Sequence, residues 1–442
     1  MNRRDFVKTG AGAFFIAASG RAFGQGAASN RVRLAIVGCH EKGRGISVMR
    51  RALMVPGLEI AYVCDVDSRA RDFAAAEVQK LAGYTPRKEK DLRKVLEDKE
   101  LDGIISETPD HWHAYSAVIA MRAGKAVYVE KPCCFCPREG EILVDTWKKT
   151  GMVLQVGSQR RSSRTYRAAL DYLAANRDLV GELKWAKCWY MSDRASIGRG
   201  KVAPVPEWLD WDLWQGPAPR TAYRDNVVHY NWHWFRRWGT AETGNNAPHF
   251  ADVARWALGV KFPKRVVAAG GLLFPRKDDD YSWPDTYNLS FEYPGDKLIT
   301  FELTSHVNGL PYHGVGTGAM VYGDNGSVYF GPLDDVTIYD RRGKPVKEWK
   351  PDANTQLGSL TNPTHNLDLL HMTKFAECIR AKDQRTFAPA DEGYMSSYIP
   401  IVGNIALETG EVLKVDPDTG RVDSAAARAL WAREYEKGWE LV

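Results

Sequence analysis

The stretch VRLAIVGCHEKGRG, residues 32–45, decides the fold. Its first six residues form an apolar run of strand length, and a helical pattern follows the glycines Gly38, Gly43 and Gly45. Glycines at a strand-to-helix turn let backbone N–H groups approach a pyrophosphate, and the helix N-terminus adds partial positive charge. Compared with the usual G-x-G-x-x-G spacing, this turn holds two extra residues. It therefore predicts a nucleotide site only together with the strands that follow.

A carboxylate after the second predicted strand indicates which nucleotide binds. Residues 58–64 form another apolar run, and Asp65 follows it, about twenty residues beyond the glycine turn. A carboxylate at this position accepts hydrogen bonds from both ribose hydroxyls. Because its negative charge repels a 2′-phosphate, the sequence favours NAD over NADP. Arg69 could stack on the adenine or soften that preference.

Three more strands are predicted at 103–105, 126–129 and 153–156, and helical patterns separate them. This alternation is typical of a parallel, doubly wound sheet. Ligands of such sheets bind beyond the carboxyl ends of the strands. The cofactor-binding candidates at those ends, together with one residue of the glycine turn, are Arg44, Thr108, Pro109, Asp110, His113, Glu130, Lys131 and Gln159.

Length and composition limit the remaining possibilities. A chain of 442 residues exceeds a single core of roughly 250–300 residues, so we expect a dinucleotide-binding domain at 31–160 and a second domain at 161–442. Its 44% hydrophobic and 26% charged residues exclude disorder and fibrous repeats. The formal charge of +5 includes +3 from residues 1–28, so no nucleic-acid partner is expected. No apolar run approaches the ~20 residues of a membrane span.

The amino-terminal residues have the pattern of an export signal. Arg3 and Arg4 precede a short, moderately apolar stretch that Arg21 closes, and small residues follow. The pattern resembles a twin-arginine (Tat) signal over residues 1–28; the alternative is a disordered segment with a chance arginine pair. The Tat route carries folded proteins, which suits a chain that binds its cofactor before export. The expected location is the periplasm.

The cysteines and histidines do not predict a metal site. Seven cysteines are an odd number without zinc-like spacing, and even the cluster at 133–136 has no Cys or His partner at a suitable interval. Most of them are expected to be small buried side chains. His229 and His233, four residues apart, could form a metal pair on a helix. Without an acidic third ligand, we expect them to make core or substrate contacts.

Three motifs carry a family resemblance: TPDHWH at 108–113, EKP at 130–132 and GNNAPH at 244–249. Together with the glycine turn they resemble the Gfo/Idh/MocA oxidoreductases, and EKP is the most specific mark. The resemblance implies an α/β protein, with an N-terminal Rossmann domain and a C-terminal domain built on a large, open, mostly antiparallel sheet. A homodimer or homotetramer is then expected. Members mostly oxidise or reduce sugars and cyclitols with NAD or NADP, and exported members similar to glucose–fructose oxidoreductase keep the dinucleotide bound.

The resemblance also implies the catalytic residues, Lys131 and His249. Where the family often has Asp four residues before the histidine, this chain has Asn245. An amide can orient a hydroxyl or an imidazole, but it cannot stabilise imidazolium as a carboxylate would. Asp252 could supply that charge or could be a solvated helix residue, so the identity of the proton acceptor stays open. Oxidising a secondary alcohol needs a base, for which His249 is suited, and positive charge near the oxygen, which Lys131 can supply.

The second domain has the composition of a carbohydrate-binding cleft. Nine of the fifteen tryptophans lie between Trp185 and Trp256. Indole rings stack on the apolar faces of pyranose rings, although at least half of these rings are expected to pack in the core. The substrate-contact candidates are Trp112, Arg160, Arg161, His229, Trp232, His233 and Tyr287.

The rest of the second domain has strand and helix patterns. Strand-like runs at 266–269, 288–293 and 320–323 fit an antiparallel sheet, and the Asp-Asn-Gly sequence after Gly323 predicts a hairpin. Helices are predicted at about 366–382 and 392–408. By the resemblance, these two helices pack back against the first domain.

Three functions stay open at this point. The first is an NAD(P)-dependent oxidoreductase, with tightly held cofactor, acting on a secondary hydroxyl of a sugar, glycoside or cyclitol. The second is a glycosidase that uses NAD transiently through oxidation and elimination, and that needs a further acid/base such as His229, His233 or Tyr287. The third is a non-catalytic carbohydrate-binding relative, which Asn245 and the altered glycine turn bring into consideration.

Overall fold

The computed structural model of the protein describes residues 31–274, 276–307, 311–350 and 365–442. The chain forms two sheets, each covered by helices. The export signal expected at 1–28 lies outside the described residues. Within them, no helix combines the length and the apolar character that crossing a membrane would require.

The first sheet has six parallel strands in the order β3-β2-β1-β4-β5-β6. Most of its strands are buried because helices cover both faces, which is why they read as continuous apolar runs. The order reverses between β1 and β4, and a ligand crevice opens at such a point. The strands are β1 Val32–Val37, β2 Leu58–Cys64, β3 Arg87–Glu89, β4 Gly103–Ser106, β5 Ala126–Val129 and β6 Leu154–Val156.

Helices connect these strands as predicted. The first begins at Arg44, inside the glycine turn, and the second is capped by the Asp67 carboxylate, which accepts from the Arg69 backbone N–H. The short strand β3 was not predicted, because three charged residues carry no apolar pattern. The helices are α1 Arg44–Ala52, α2 Ser68–Ala82, α3 Leu92–Val95, α4 Asp110–Arg122 and α5 Pro137–Thr150.

The second sheet has nine strands in the order β14-β13-β12-β11-β7-β10-β9-β8-β15. All neighbours are antiparallel except β7 and β10, which run parallel. The predicted fold class is therefore confirmed. The strands are β7 Leu183–Met191, β8 Arg265–Gly271, β9 Thr286–Tyr293, β10 Lys297–Thr304, β11 Thr317–Gly323, β12 Gly326–Phe330, β13 Val336–Asp340, β14 Pro345–Trp349 and β15 Leu413–Lys414.

Strand pairing in this sheet tests one prediction and shows one omission. The hairpin after Gly323 is confirmed: Tyr322 pairs with Ser327, so the turn lies between β11 and β12. Strand β7 was missed, although it is central to the sheet, because its tryptophans were assigned to a cleft.

The remaining helices join the two sheets. α9 and α11 pack on the second sheet, whereas α10 returns to the first domain and packs on α1, with Met372 and Phe375 in the core around β1. The two predicted C-terminal helices are confirmed within two residues. Two 3₁₀ turns span Gln159–Ser162 and Asn231–Trp234, and the helices are α6 Arg164–Ala175, α7 Arg177–Val180, α8 Trp211–Gln215, α9 Ala241–Leu258, α10 His365–Ala381, α11 Ala390–Thr409 and α12 Ala425–Ala429.

Most of the clustered tryptophans are structural. Six of the nine are buried. Trp211, Trp214 and Trp238 pack together in a small separate hydrophobic core, which is formed by the segment of the chain that follows β7 and precedes α9. This core holds a long excursion of the chain, residues 192–240, against the first domain. There the Ser68 N–H donates to the Trp208 carbonyl at 2.9 Å.

A buried ion network ties the 3₁₀ turn after β6 to α9 and α11. The Arg161 Nε donates to both Asp252 oxygens at 2.9 Å, and its Nη2 donates to Glu392 at 2.9 Å. The Ser396 hydroxyl donates to Asp252 at 2.5 Å. Asp252 is therefore not a solvated helix residue, because its buried carboxylate is held by Arg161 and Ser396 rather than by His249.

We predict that Asp252→Ala lowers the free energy of unfolding by about 3–5 kcal/mol, because it leaves Arg161 buried with one partner fewer. Urea unfolding of the purified protein measures this difference. The control is Asp145→Ala, which breaks an exposed pair with Lys149 and should change the free energy by less than about 1 kcal/mol. Equal effects of the two substitutions would contradict the structural role of the network.

Candidate active site

A cavity of about 830 Å³ lies between the carboxyl edge of the first sheet and the 192–240 excursion. Its size is in the range of cofactor and substrate sites. The sequence-predicted residues that line it are Gly38, Gly43, Arg44, Gly45, Asp65, Thr108, Pro109, Asp110, Trp112, His113, Glu130, Lys131, Gln159, His229, Trp232, His233, Asn245 and His249. The crevice at the strand-order reversal and the motif-bearing loops therefore meet in one place.

The glycine turn, with Gly38, Gly43 and Gly45, forms a concave backbone surface, here called the cradle, that side chains at these positions would fill. Gly38 has φ +83°, and a Cβ there would lie 2.5 Å from the Glu107 carbonyl oxygen. A Cβ on Gly45 would lie 2.0 Å from the Gly38 carbonyl oxygen. The Gly43 N–H donates to the His40 carbonyl at 2.8 Å, so the extra residues fold into a tight turn and leave the crevice open. The N-terminus of α1 opens on this cavity and has no acidic residue in its first turn, which fits a pyrophosphate.

Asp65 lies where a ribose would bind. Its Oδ2 accepts from the Cys39 N–H at 2.7 Å and its Oδ1 from the Asp67 N–H at 2.9 Å. These two bonds fix the carboxylate and leave further lone pairs for hydroxyl donors. Desolvation raises the pKa of Asp65, and the two N–H donors oppose that shift. The arrangement fits the ribose-binding role.

Arg69 and His229 occupy places that differ from those expected. Arg69 pairs with Asp67 at 2.9 Å and stacks on Trp208, 3.5 Å from its ring centroid, so it does not line the cavity. Since Asp67 caps the same helix, it holds the guanidinium outside the crevice. The His229 Nε2 lies 2.9 Å from Asp67, and its ring stacks on His40 at 3.9 Å. His229 therefore lines the Asp65 end of the cavity.

Lys131 connects the two domains. Its Nζ donates to the backbone carbonyl of Asn245 at 2.6 Å. Glu130 anchors the start of this segment, accepting from the Lys131 N–H at 3.0 Å and from Gln159 Nε2 at 2.5 Å. Burial lowers the pKa of Lys131, although Glu130 and Asp110 oppose the shift. The ammonium group therefore loses its proton more readily than a lysine in water.

His249 lies one helical turn after Asn245, and its side chain is 8% exposed. Burial and the neighbouring cations Lys131 and Arg160 hold the pKa of His249 well below its usual range. The imidazole is therefore neutral at pH 7 and able to accept a proton. Asn245 contributes its backbone carbonyl to Lys131, while its side-chain amide lies 3.5 Å from Glu242.

A second neutral imidazole faces the same cavity. The His233 ring stacks on Trp232 at 3.6 Å, and burial lowers the pKa of His233 to about 3. Because the Tyr230 carbonyl accepts from its Nδ1 at 2.6 Å, the Nε2 carries the free lone pair. His229 and His233 have different partners, and no cluster of three metal-ligating side chains occurs in the described part of the chain. All seven cysteines are buried, which agrees with the packing role expected of most of them.

Sequence reasoning missed a charged pair in the site. Arg194 lines the cavity, and its Nε and Nη2 donate to the two oxygens of fully buried Glu242 at 2.9 Å. Its Nη1 donates to the Tyr230 hydroxyl at 3.2 Å. Arg194 follows the end of β7, so recognition of that strand would have indicated it. Glu107, directly after β4, also lines the cavity and was missed.

Three substrate candidates lie outside the cavity. Arg160 is buried over the Phe250 ring at 4.2 Å, and Arg161 belongs to the ion network with Asp252. Both point toward the helices behind the 3₁₀ turn, from which only Gln159 reaches the cavity. Tyr287 is 1% exposed within β9 and packs in the core. The prediction that Arg160, Arg161 and Tyr287 contact the substrate is therefore wrong for this cavity.

Known proteins resemble this chain in sequence. Residues 32–158 match the Gfo/Idh/MocA model, described as "Oxidoreductase family, NAD-binding Rossmann fold". A glycosyl hydrolase family 109 protein of Saccharopolyspora erythraea is 33% identical over 215 residues, 45% of each chain, so the match spans less than half of that relative. A scyllo-inositol 2-dehydrogenase (NAD(+)) of Bacillus subtilis is 25% identical over 79% of this chain and 87% of its own.

Solved structures share the fold. Levoglucosan dehydrogenase in complex with NADH and levoglucosan superposes with a TM-score of 0.63 at 16% identity, covering 87% of this chain and 99% of its own. An oxidoreductase from Agrobacterium radiobacter in complex with NAD+, L-tartaric acid and magnesium gives 0.60 at 15% identity, over 87% and 98%. The chain therefore shares the two-domain fold of these two solved structures.

We predict that Asp65→Ala weakens NAD+ binding by about tenfold or more, because charge-assisted bonds to two ribose hydroxyls are lost. Discrimination against NADP+ should relax, because the repulsion of the 2′-phosphate disappears. Equilibrium titration of dinucleotide-free protein with each cofactor measures both effects, with Asp72→Ala on the exposed side of α2 as the control. Unchanged affinity for NAD+ would refute the ribose role.

Proposed function

This chain belongs to the Gfo/Idh/MocA oxidoreductase family, and we propose that it oxidises or reduces a secondary hydroxyl of a sugar, glycoside or cyclitol with NAD. The bond from Lys131 Nζ to the Asn245 carbonyl carries the proposal. It joins the first domain to the helix that bears His249, so that a cation and a neutral base face one cavity. That cavity also contains the dinucleotide cradle.

The side chains supply what alcohol oxidation requires. When bound, NAD provides the acceptor for the hydride that leaves the alcohol carbon. The Lys131 ammonium stabilises the oxygen as it becomes alkoxide-like, and its lowered pKa also permits proton exchange. The neutral His249 accepts the hydroxyl proton in oxidation and returns it in reduction. Asn245 orients Lys131 through its carbonyl and takes no proton.

The charge balance of the cavity favours an uncharged polyol as substrate. Arg194 is neutralised by Glu242, so it offers hydrogen bonds and no net attraction to a carboxylate. The stacked rings of Trp232 and His233 provide a flat apolar face beside these polar groups. A pyranose or cyclitol ring presents both kinds of surface.

A tightly held cofactor is supported by the 192–240 excursion. It is docked over the Asp65 end of the cavity by three contacts: Trp208 on Ser68, Lys90 with Asp210 at 2.7 Å, and His229 on Asp67. Release of a dinucleotide would require these contacts to open. A dinucleotide held by these contacts would stay bound between turnovers, so that oxidation of one substrate and reduction of another would share it.

One observation favours the glycosidase as second candidate. His233 is a neutral imidazole with its Nε2 available, separate from His249, and transient oxidation followed by elimination needs such a second proton-transfer group. The similarity to family 109 glycosyl hydrolases points the same way.

A panel of sugars and aryl glycosides separates the candidates. Purified protein is mixed with each compound, with and without added NAD+, and both absorbance at the NADH band and released aglycone are followed. Net reduction of the cofactor, or exchange of oxidation state between two sugars, supports the oxidoreductase. Aglycone release without net reduction supports the glycosidase. Sugar binding without either signal would leave only the carbohydrate-binding relative.

We predict that Lys131→Ala lowers kcat by about 10²-fold or more while NAD+ binding survives, because the charge beside the reacting oxygen is lost but the cradle stays. Steady-state kinetics and dinucleotide titration measure the two effects. Lys148→Ala, an exposed lysine on α5, is the control. Undiminished turnover of Lys131→Ala would remove this residue from the chemistry.

We further propose that the enzyme works in the periplasm, on the basis of the Tat-type pattern over residues 1–28. The expected result of replacing Arg3 and Arg4 with lysine is accumulation of the protein in the cytoplasm, because the twin arginine is the recognised feature. Cell fractionation measures the distribution. Export unaffected by the double substitution would refute Tat transport.

A further inference from the structure

Glu242, in the first turn of α9, is a fully buried carboxylate on which three side chains of the cavity wall converge. Arg194 donates to both of its oxygens at 2.9 Å, through Nε and Nη2. The Asn246 amide donates to its Oε1, and the Asn245 amide lies 3.5 Å from the same atom. Arg194, Asn245 and Asn246 all line the cavity, whereas Glu242 lies behind them. Glu242 therefore sets the charge and the orientation of this wall from outside the cavity.

The guanidinium group of Arg194 is accessible from the cavity. Its side chain is 22% exposed, and the edge that does not bind Glu242 carries Nη1. That nitrogen donates to the Tyr230 hydroxyl at 3.2 Å, and Tyr230 is itself half exposed and lines the cavity. Nη1 has a second N–H bond besides the one that Tyr230 accepts. A molecule bound in the cavity can therefore meet a hydrogen-bond donor of Arg194 directly.

The wall around Arg194 has no net charge, because Glu242 pairs with the guanidinium group at two points. The other cation of the cavity, Lys131, has the carboxyl groups of Glu130 and Asp110 beside it. A ring that carries a carboxylate would lose hydration on entering and would find no unpaired positive charge in return, which is costly. An uncharged ring enters without that cost.

Removing the charge of Glu242 would change this balance. Glutamine has nearly the same shape but only one acceptor oxygen, so it matches one of the two N–H groups that Arg194 directs at it. The guanidinium group would then keep its positive charge with an unused donor. Guanidinium groups bind carboxylates through two parallel, charge-assisted hydrogen bonds, which is the contact that a sugar acid would offer.

We propose that Glu242 is a positioning residue that restricts the site to uncharged polyols, and that without its charge the same cavity binds sugar acids, such as hexuronates, through Arg194. This inference deepens the proposed function and rests on it, because it places the substrate in the part of the cavity between Arg194 and His249. Glu242 acts through its neighbour: its charge sets the preference, and Arg194 makes the contact.

The test compares the binding of D-glucuronate with D-glucose, and of D-galacturonate with D-galactose, by isothermal titration calorimetry. The protein is loaded with NADH, which cannot oxidise the added sugar. The native protein should bind each neutral sugar more tightly than its uronate. Glu242→Gln should shift the affinity ratio toward the uronate by about tenfold or more, a gain that loss of structure cannot produce. Glu242→Asp keeps the negative charge and should keep the native preference.

Two further variants locate the effect. The double variant Glu242→Gln with Arg194→Gln should show no gain of uronate affinity, because the cation that makes the contact is absent. Glu207→Gln removes an exposed charge from the 192–240 excursion at a position outside the cavity, and it should keep the native ratio.

Each contrary result has a distinct meaning. A Glu242→Gln protein that gains no affinity for either uronate overturns the inference, and so does a gain that persists in the double variant. A native protein that binds a uronate as tightly as its neutral counterpart overturns it without any variant. A protein that binds no NADH contradicts the proposed function itself, so the two failures are distinguishable.

Discussion

The hydrogen bond from Lys131 to the Asn245 carbonyl, 2.6 Å long, is the interaction on which the site depends. It spans the boundary between the parallel sheet and helix α9, and thereby sets the cation against the imidazole of His249. Two other sets of contacts hold the domains in place around this bond. The Arg161–Asp252–Ser396 network fixes α9 against the turn after β6, and α10 returns to pack on the first helix.

Burial then sets the protonation of the reacting groups. Desolvation acts against the ammonium of Lys131 and the imidazolium forms of His233 and His249, and it favours the protonated form of Glu107. The cavity therefore holds two neutral imidazoles and an ammonium group that loses its proton more readily than a lysine in water. Burial acts on Arg194 too, but this side chain keeps its charge because it pairs with Glu242 through two hydrogen bonds. A neutral polyol can enter such a site without bringing an uncompensated charge.

The first domain and the C-terminal helices could be predicted from sequence because their signals are local. Continuous apolar runs marked the buried parallel strands, and the polar residues at their carboxyl ends lined one cavity, as the topology requires. Tertiary context decided the rest. Arg160 and Arg161 follow a strand end too, but a 3₁₀ turn directs them away from the crevice. Arg194 could not be identified because β7, the strand that precedes it, was not predicted. Glu107 could not be identified because its lack of a hydrogen-bond partner among the described residues and its packing against Gly38 and Gly45 are visible only in the structure. Tryptophan content predicted an aromatic-lined cleft with at least half of the rings in the core, and six of the nine are buried while Trp214 and Trp232 line the cavity.

The most direct test of this account is a crystal structure of the protein with NAD and a bound sugar or cyclitol. The account predicts the nicotinamide ring in the crevice above β1 and β4, with Lys131 Nζ and the His249 ring both about 2.6–3.2 Å from the same substrate hydroxyl. A dinucleotide bound elsewhere, or a reacting hydroxyl that neither side chain reaches, would contradict it.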